Sequence, residues 1–259
     1  MTAKEINSHT DQVRLFFEEP IRYLGRRAFD IRIRFETVQE FIQKKTFGHI
    51  LDIGCGDGSI SLPLLTHYQC QQLTLLDMSS SMLSLAKKKI TEDISGRVKF
   101  INENFIDTEL DPQGYDLILC LGVLAHVDSP AEVIARIARF LKPGGILILE
   151  VTDSYHPIGA ILGLYHRMLD YLVVNKHKLN WLRTKDIILT CQEHNLSPSA
   201  FYRYSLPPPG SHRIFSQENM YKMTRIVFGF SLDKNRNKWL GNVSIYCFDK
   251  QPVNQQQQN

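Results

Sequence analysis

Charge of one sign is in short supply in this sequence. Lys and Arg number 30 against 27 Asp and Glu, a net charge of +3 over 259 residues. So small an excess leaves no electrostatic footprint for nucleic acid. Cysteine pairing is absent as well. Cys55, Cys70, Cys120, Cys191 and Cys247 are odd in number and show no C-x-x-C spacing. A metal cluster and a disulfide framework are thereby excluded as organising elements, and a reducing cytoplasm is the expected setting. No apolar run approaches the roughly 18 residues that a membrane-spanning helix needs. The opening residues, Met1 to Glu5, are polar, which does not fit a secretory leader. What the chain does have is core. Hydrophobic residues make up 43% and charged ones 22%, enough for one large domain or a domain with an elaboration.

Periodicity divides the chain. Ser8 or Thr10 can cap a short helix through Phe17, stopped near Pro20. A longer helix is predicted from Tyr23 to Lys45, because Ala28, Ile31, Phe35, Val38 and Ile42 recur at three and four. Arg26, Arg27, Arg32 and Arg34 fall mostly off that stripe and read as a solvated face. From residue 48 strands alternate with helices. The predicted strands are His49–Ile53, Gln72–Leu76, Val98–Asn102, Tyr115–Leu119 and Ile146–Val151. The predicted helices are Ser59–His67, Ser80–Thr91 and Pro130–Leu141, with a turn at Lys142–Gly145. Continuous apolar strands joined by helices give an α/β fold, a doubly wound parallel sheet that binds ligands beyond the carboxyl ends of its strands. Residues 152–213 interrupt this rhythm with a helical stripe from Ile158 to Leu172 and one further candidate strand at Ser197–Ser205. Ser216 then caps a helix to about Val227, and Val243–Phe248 is a last strand. The expected organisation is a helical cap over 1–47, a ligand-binding core over 48–151 and an insertion over 152–213. A returning helix and strand over 214–250 and a disordered tail over 251–259 complete it.

The stretch Ile50-Leu51-Asp52-Ile53-Gly54-Cys55-Gly56-Asp57-Gly58 is the most informative. It reads as a buried strand breaking into a glycine turn and then a helix, which brings backbone N–H groups close to a nucleotide-like ligand. Asp52 just before the first glycine can meet a cationic group. Asp77 ends strand two, where an acid can accept both hydroxyls of a ribose. Asn104 and Phe105 follow strand three, placed to pair with an adenine edge and cover its face. Strand four runs into Leu121-Gly122-Val123. All four places lie at carboxyl ends of neighbouring strands, within reach of one ligand. The turn is G-x-G-x-G rather than the G-x-G-x-x-G of dinucleotide binders, which disfavours a nicotinamide oxidoreductase.

The stretches LDIGCGDG, LLDMSSSMLSLAKKK, YDLILCLGVLAHV and LKPGGILILE resemble the class I S-adenosylmethionine-dependent methyltransferases, particularly the small-molecule branch similar to the ubiquinone-biosynthesis enzymes. The resemblance covers roughly residues 48–151. It implies a seven-stranded Rossmann-like sheet and S-adenosyl-L-methionine as cofactor. Carried over by position, Gly54, Cys55 and Gly56 pass close to the methionine moiety and Asp52 reaches its ammonium. Asp77 holds the ribose, Met78 and Met82 pack near adenine, and Leu121 lies against the cofactor backbone. Asn104 departs from the aspartate most common at its place.

Methyl transfer from a sulfonium needs alignment and dryness more than a catalytic motif. A base helps where the acceptor must lose a proton, and His126 and His156 follow strands four and five at the crevice mouth. Strand four lacks the Asn/Asp-Pro-Pro-Tyr/Phe stretch of amino-group nucleic-acid enzymes. The expected acceptor is therefore an apolar or aromatic small molecule methylated on oxygen. The N-terminal helices and the 152–213 insertion should select it, with Tyr155, Tyr165 and Trp181 among the aromatic surfaces. Peripheral membrane contact through the helix near 158–174 is a further expectation. A methyltransferase acting on RNA or protein, and a non-catalytic cofactor-binding subunit, remain alternatives.

Overall fold

The computed structural model describes residues 9–43, 45–68, 70–157, 180–207 and 210–252. Its chain opens with α1 (His9–Phe17) and α2 (Pro20–Phe41) and then enters β1 (Phe47–Ile53). Alternation follows through α3 (Ser61–His67), β2 (Cys70–Leu76), α4 (Ser80–Lys87), α5 (Glu92–Ser95) and β3 (Val98–Ile101). Next come β4 (Tyr115–Cys120), α6 (Pro130–Phe140) and β5 (Leu141–Thr152). The chain closes with α7 (Thr184–Glu193), β6 (Leu196–Tyr204), α8 (Gln217–Phe228) and β7 (Val243–Lys250).

The seven strands form one sheet in the order β3-β2-β1-β4-β5-β7-β6. β1 pairs in parallel with β2 and β4, whereas β7 runs antiparallel between β5 and β6. Order reverses beside β1, so a crevice opens at the carboxyl ends of β1 and β4. Both faces of the sheet are covered. Phe29, Ile33, Leu64, Leu83 and Met220 pack against one face. Ile134, Ile137, Ile187 and Cys191 pack against the other.

Local chemistry explains the helix ends. Ser79, Ser129 and Ser216 each accept a backbone N–H three residues on, the side-chain cap that starts α4, α6 and α8. Pro130 follows its cap at the first helical position. Pro20 does the same in α2, so it begins the long helix instead of stopping the short one as expected. Helix α4 ends at Lys87, short of the expected Thr91, and a separate turn forms α5. The expected Lys142–Gly145 turn is absorbed into β5, with a register shift against β4 at Tyr115/Leu117.

The largest departure lies in 152–213. Helix α7 was not foreseen, and β6 is the outermost strand of the main sheet. Within the stretch expected as an insertion, Thr184–Glu193 and Leu196–Tyr204 thus belong to the sheet and its covering helices. The stripe Ile158–Leu172, with Tyr165 and the membrane-contact expectation, lies outside the described residues, as do 253–259 of the tail. Among the described residues no helix is long and apolar enough to cross a membrane.

Candidate functional site

The glycine turn is held by the strand beside it. Gly54 N and Cys55 N both donate to Leu76 O at the end of β2, at 2.8 and 3.1 Å. Gly54 has φ +66, and a Cβ there would come 2.5 Å from Val123 Cγ2. Only glycine lets the loop after β4 close onto the turn. Gly56 N donates to Asp77 Oδ2 at 2.8 Å, and Ser79 N donates to Asp77 Oδ1 at 2.8 Å. Asn102 Nδ2 donates to Asp77 O at 2.9 Å, which ties the end of β3 to the end of β2.

These bonds build a cleft that is partly open to solvent. Asp52, Gly54, Cys55 and Gly56 line it from β1 and its turn. Asp77, Met78 and Met82 line it from the β2 end and α4, and Asn104, Phe105 and Leu121 from the ends of β3 and β4. The structure thus brings all ten residues expected to hold a cofactor into one cavity. Phe105 is 5% exposed and packs edge-on against Phe140, so it is a fixed wall. Asn104 Oδ1 turns back to accept Ile106 N at 3.4 Å.

The two histidines part company. His126 lines the cleft, its ring edge-on to Phe17 with centroids 5.4 Å apart. His156 is not among the cleft residues. Its Nε2 donates to Trp239 O at 2.7 Å, and its N donates to Asp153 Oδ1 at 3.1 Å. That corrects the expectation that both face the crevice: His156 serves to fasten the chain leaving β5 to the segment before β7.

The electrostatics of the cleft are acidic. Burial drives the Asp52 carboxyl up to about 7, Asp77 and Asp57 push it the same way, and the Ser61 hydroxyl opposes them. Burial also raises Asp77, against the two N–H bonds that lower it. Among the described residues neither Asp52 nor Asp77 makes an ion pair, while Asp57 is met by Lys89 Nζ at 2.5 Å. A buried acid of this kind favours an incoming cation, which restores its charge. The Cys55 thiol is buried in the same turn and pushed up chiefly by burial, so it is inert.

One further feature of the site fits the helical cap expected over 1–47, and a second escaped sequence reasoning. Helix α1 lies across the cleft, which Val13 and Phe17 line. Ser79 Oγ donates to Phe17 O at 3.0 Å, and Ser80 N and Ser81 N donate to the two carboxylate oxygens of Glu18 at 3.1 and 3.2 Å. Across the mouth, Thr10 Oγ1 donates to Asp128 Oδ2 at 3.3 Å. The second feature is Arg34, which reaches the cleft from α2 and is 8% exposed, correcting its reading as solvated. Its Nε and Nη2 meet Glu150 at 2.6 and 2.7 Å, and Nη2 meets Asp30 at 3.3 Å. Tyr204 Oη donates to Asp30 Oδ1 at 2.7 Å. The signal available in the sequence was Glu150, a lone acid on an otherwise apolar strand, which needs a buried partner.

The doubly wound sheet, with its switch-point cleft lined by Asp52, a glycine turn and Asp77, is the architecture that the sequence resemblance implied. Comparison with known proteins agrees: residues 51–147 match the methyltransferase domain family. Residues 51–147 are thus similar to methyltransferase domains. Malonyl-[acyl-carrier protein] O-methyltransferase of Halalkalibacterium halodurans is 31% identical over 151 residues, 53% of this chain and 54% of that one. A ubiquinone biosynthesis O-methyltransferase of Coxiella burnetii is 34% identical over 108 residues, 40% of this chain and 44% of that protein. The chain thus spans about half the length of these curated relatives. Among solved structures, a methyltransferase of Thermotoga maritima superposes with a TM-score of 0.64 at 15% identity, over 94% of this chain and 100% of that one. Phosphoethanolamine N-methyltransferase 2 of Haemonchus contortus, solved with S-adenosylhomocysteine, gives 0.65 at 15% identity over 95% and 60%. At that identity both attest the fold.

Proposed function

We propose that this protein is an S-adenosylmethionine-dependent methyltransferase acting on a hydroxyl oxygen of a small-molecule acceptor. The observation that carries the reading is the convergence of Asp52, the Gly54–Gly56 turn, Asp77 and Asn104 in one cleft. When bound, S-adenosylmethionine supplies a methyl group already activated on a cationic sulfur. Asp52 takes the ammonium, and its burial makes that charge pair stronger than it would be in water. Asp77, pinned through both oxygens by backbone N–H groups, keeps lone pairs for the ribose hydroxyls. Met78 and Met82 pack near the base, Phe105 walls it in and Asn104 meets its edge, while Leu121 lies beside the donor chain.

Leu24, Ile31, Val123 and Val127 give the remaining walls an apolar character that suits an apolar acceptor and excludes water. His126 is the cleft's imidazole and takes the proton of the acceptor hydroxyl. The names of the two curated relatives, both O-methyltransferases, support oxygen. Among the described residues no cluster of acids, histidines and cysteines could hold a metal, and His126 is the base invoked. The five cysteines are free and buried, which supports a reducing compartment, the cytoplasm, as the setting.

Calorimetry should show saturable S-adenosylmethionine binding that Gly56→Val abolishes. With an acceptor found by mass-shift screening of phenols, alcohols and amines, His126→Ala should lower kcat with the cofactor Kd unchanged. A product methylated on nitrogen, or full turnover in that variant, sinks the oxygen-and-base reading.

A further inference from the structure

Helix α8 has a buried face and a bare one. Tyr221, Thr224, Arg225 and Phe228 pack inward, and Arg225 Nη2 meets Glu36 of α2 at 2.6 Å. On the opposite face Met223, Ile226 and Val227 are 50%, 70% and 39% exposed. Phe230, just past the helix, is 59% exposed and Trp239 is 72% exposed. Positions 223, 226 and 227 recur at three and four, so they share one face of the helix, and Phe230 follows just beyond the Gly229 turn. A few scattered exposed apolar residues are ordinary, but a contiguous stripe of large ones marks a contact surface.

The chain after the helix folds back and sets cations beside that stripe. Gly229 has φ +94, and a Cβ there would lie 1.9 Å from Lys234 O, so the return is that tight and only glycine permits it. Arg236 N donates to Phe228 O at 2.8 Å, and Asn237 Nδ2 donates to Val227 O at 2.8 Å. Lys234, Arg236 and Lys238 are thereby held at the helix end, all exposed, and Lys222 stands on the helix itself, one turn before Ile226. The only exposed acids of this stretch are Asp233 and Glu218, and Glu218 is paired with Arg32 and Lys222.

We propose that this face is a docking surface for an anionic lipid bilayer, with Ile226, Phe230 and Trp239 entering the headgroup boundary and the lysines and arginine meeting lipid phosphates. An amphipathic helix with a cationic rim is the form that interfacial binding takes. Charge decides between a bilayer and a second copy of this chain. A two-fold contact through the same patch sets its cations against themselves, whereas an anionic surface takes them all. None of these residues lines the cleft, so docking is separable from cofactor binding.

The test is sedimentation of the full chain with vesicles of phosphatidylcholine containing phosphatidylglycerol, beside vesicles of phosphatidylcholine alone. The protein should pellet with the anionic vesicles, and less so as salt rises. Ile226→Asp with Phe230→Asp, both at exposed positions, should weaken binding roughly tenfold or more, as should Lys234→Glu with Arg236→Glu. Calorimetric binding of S-adenosylmethionine should be the same in all variants, which separates this surface from the site. Wild-type protein that stays in solution with anionic vesicles overturns the proposal, as does equal binding by the variants. A concentration-dependent dimer that Ile226→Asp dissolves overturns it in favour of self-association.

Discussion

Two groups of buried acids lie within one sheet's reach of each other and behave in opposite ways. Asp30 and Glu150 are 0% and 4% exposed and share the guanidinium of Arg34, with Tyr204 donating to Asp30. Asp52 and Asp77 are 4% and 9% exposed and make no ion pair among the described residues, and Asp77 is met by backbone N–H groups. The first group brings its counter-charge from its own chain and closes the fold. The second leaves the counter-charge to a ligand. Burial alone therefore does not mark a functional acid; burial in a cleft without a cation does.

The comparison breaks first at Arg34. Arg34→Ala strands two buried carboxyls and should cost roughly 3 kcal/mol of stability in urea titration. A cost near zero would mean that the pair is not what closes the fold. Asp77→Ala should do the reverse. It removes charge-assisted acceptors for a ligand, so S-adenosylmethionine affinity should drop about a hundredfold, with the urea midpoint moving far less than for Arg34→Ala. Asp52→Asn sharpens the contrast through pH. The folded carboxyl titrates at about 7 and the unfolded one at about 3.9. Between those values the folded chain holds a proton that the unfolded chain has released, so stability of the ligand-free protein falls as pH rises through the window. The asparagine variant should lose that slope and melt at a higher temperature at pH 8, while binding cofactor poorly. In the wild type, cofactor affinity should climb as pH passes 7. The smallest effect is expected at Glu18, whose carboxylate caps α4 from the end of α1. Its carboxyl is lowered chiefly by the Ser81 hydrogen bond. Glu18→Gln should cost about half a kcal/mol in stability yet speed S-adenosylhomocysteine release in stopped-flow, because α1 is loosened over the cleft.

How far the site was legible follows from where its residues sit. Strands β1 to β4 carry continuous apolar runs ending in Asp52, Asp77, Asn104 and Leu121, so period and position sufficed to gather them. Helices α4, α6 and α8 carry serine caps that are written locally. What failed depends on distant partners. Arg34 falls beside the apolar stripe of α2, and only Glu150, distant in sequence on β5, shows that it is buried. His156 and His126 follow neighbouring strands alike, and the Trp239 carbonyl that draws His156 away is a tertiary accident. Helix α7 lacks a side-chain cap at Arg183 and buries only Thr184, Ile187 and Cys191, so its start and stripe are both faint.

The position of β7 sets a timetable for synthesis. It is made after both β5 and β6, yet it lies between them, so β6 has no neighbour in the sheet until residue 250 has been assembled. Tyr204, at the end of β6, reaches Asp30 only once that strand is seated. A growing chain can thus complete the cofactor cleft early and must wait with its outer edge exposed. A chain ended at Gly241 should keep measurable S-adenosylmethionine binding, because the cleft residues all precede β7, while limited proteolysis should cut first within 184–204. Protection of that stretch would show that β6 docks without its neighbour. The eight-residue strand β7 thus seals the edge that β6 leaves open.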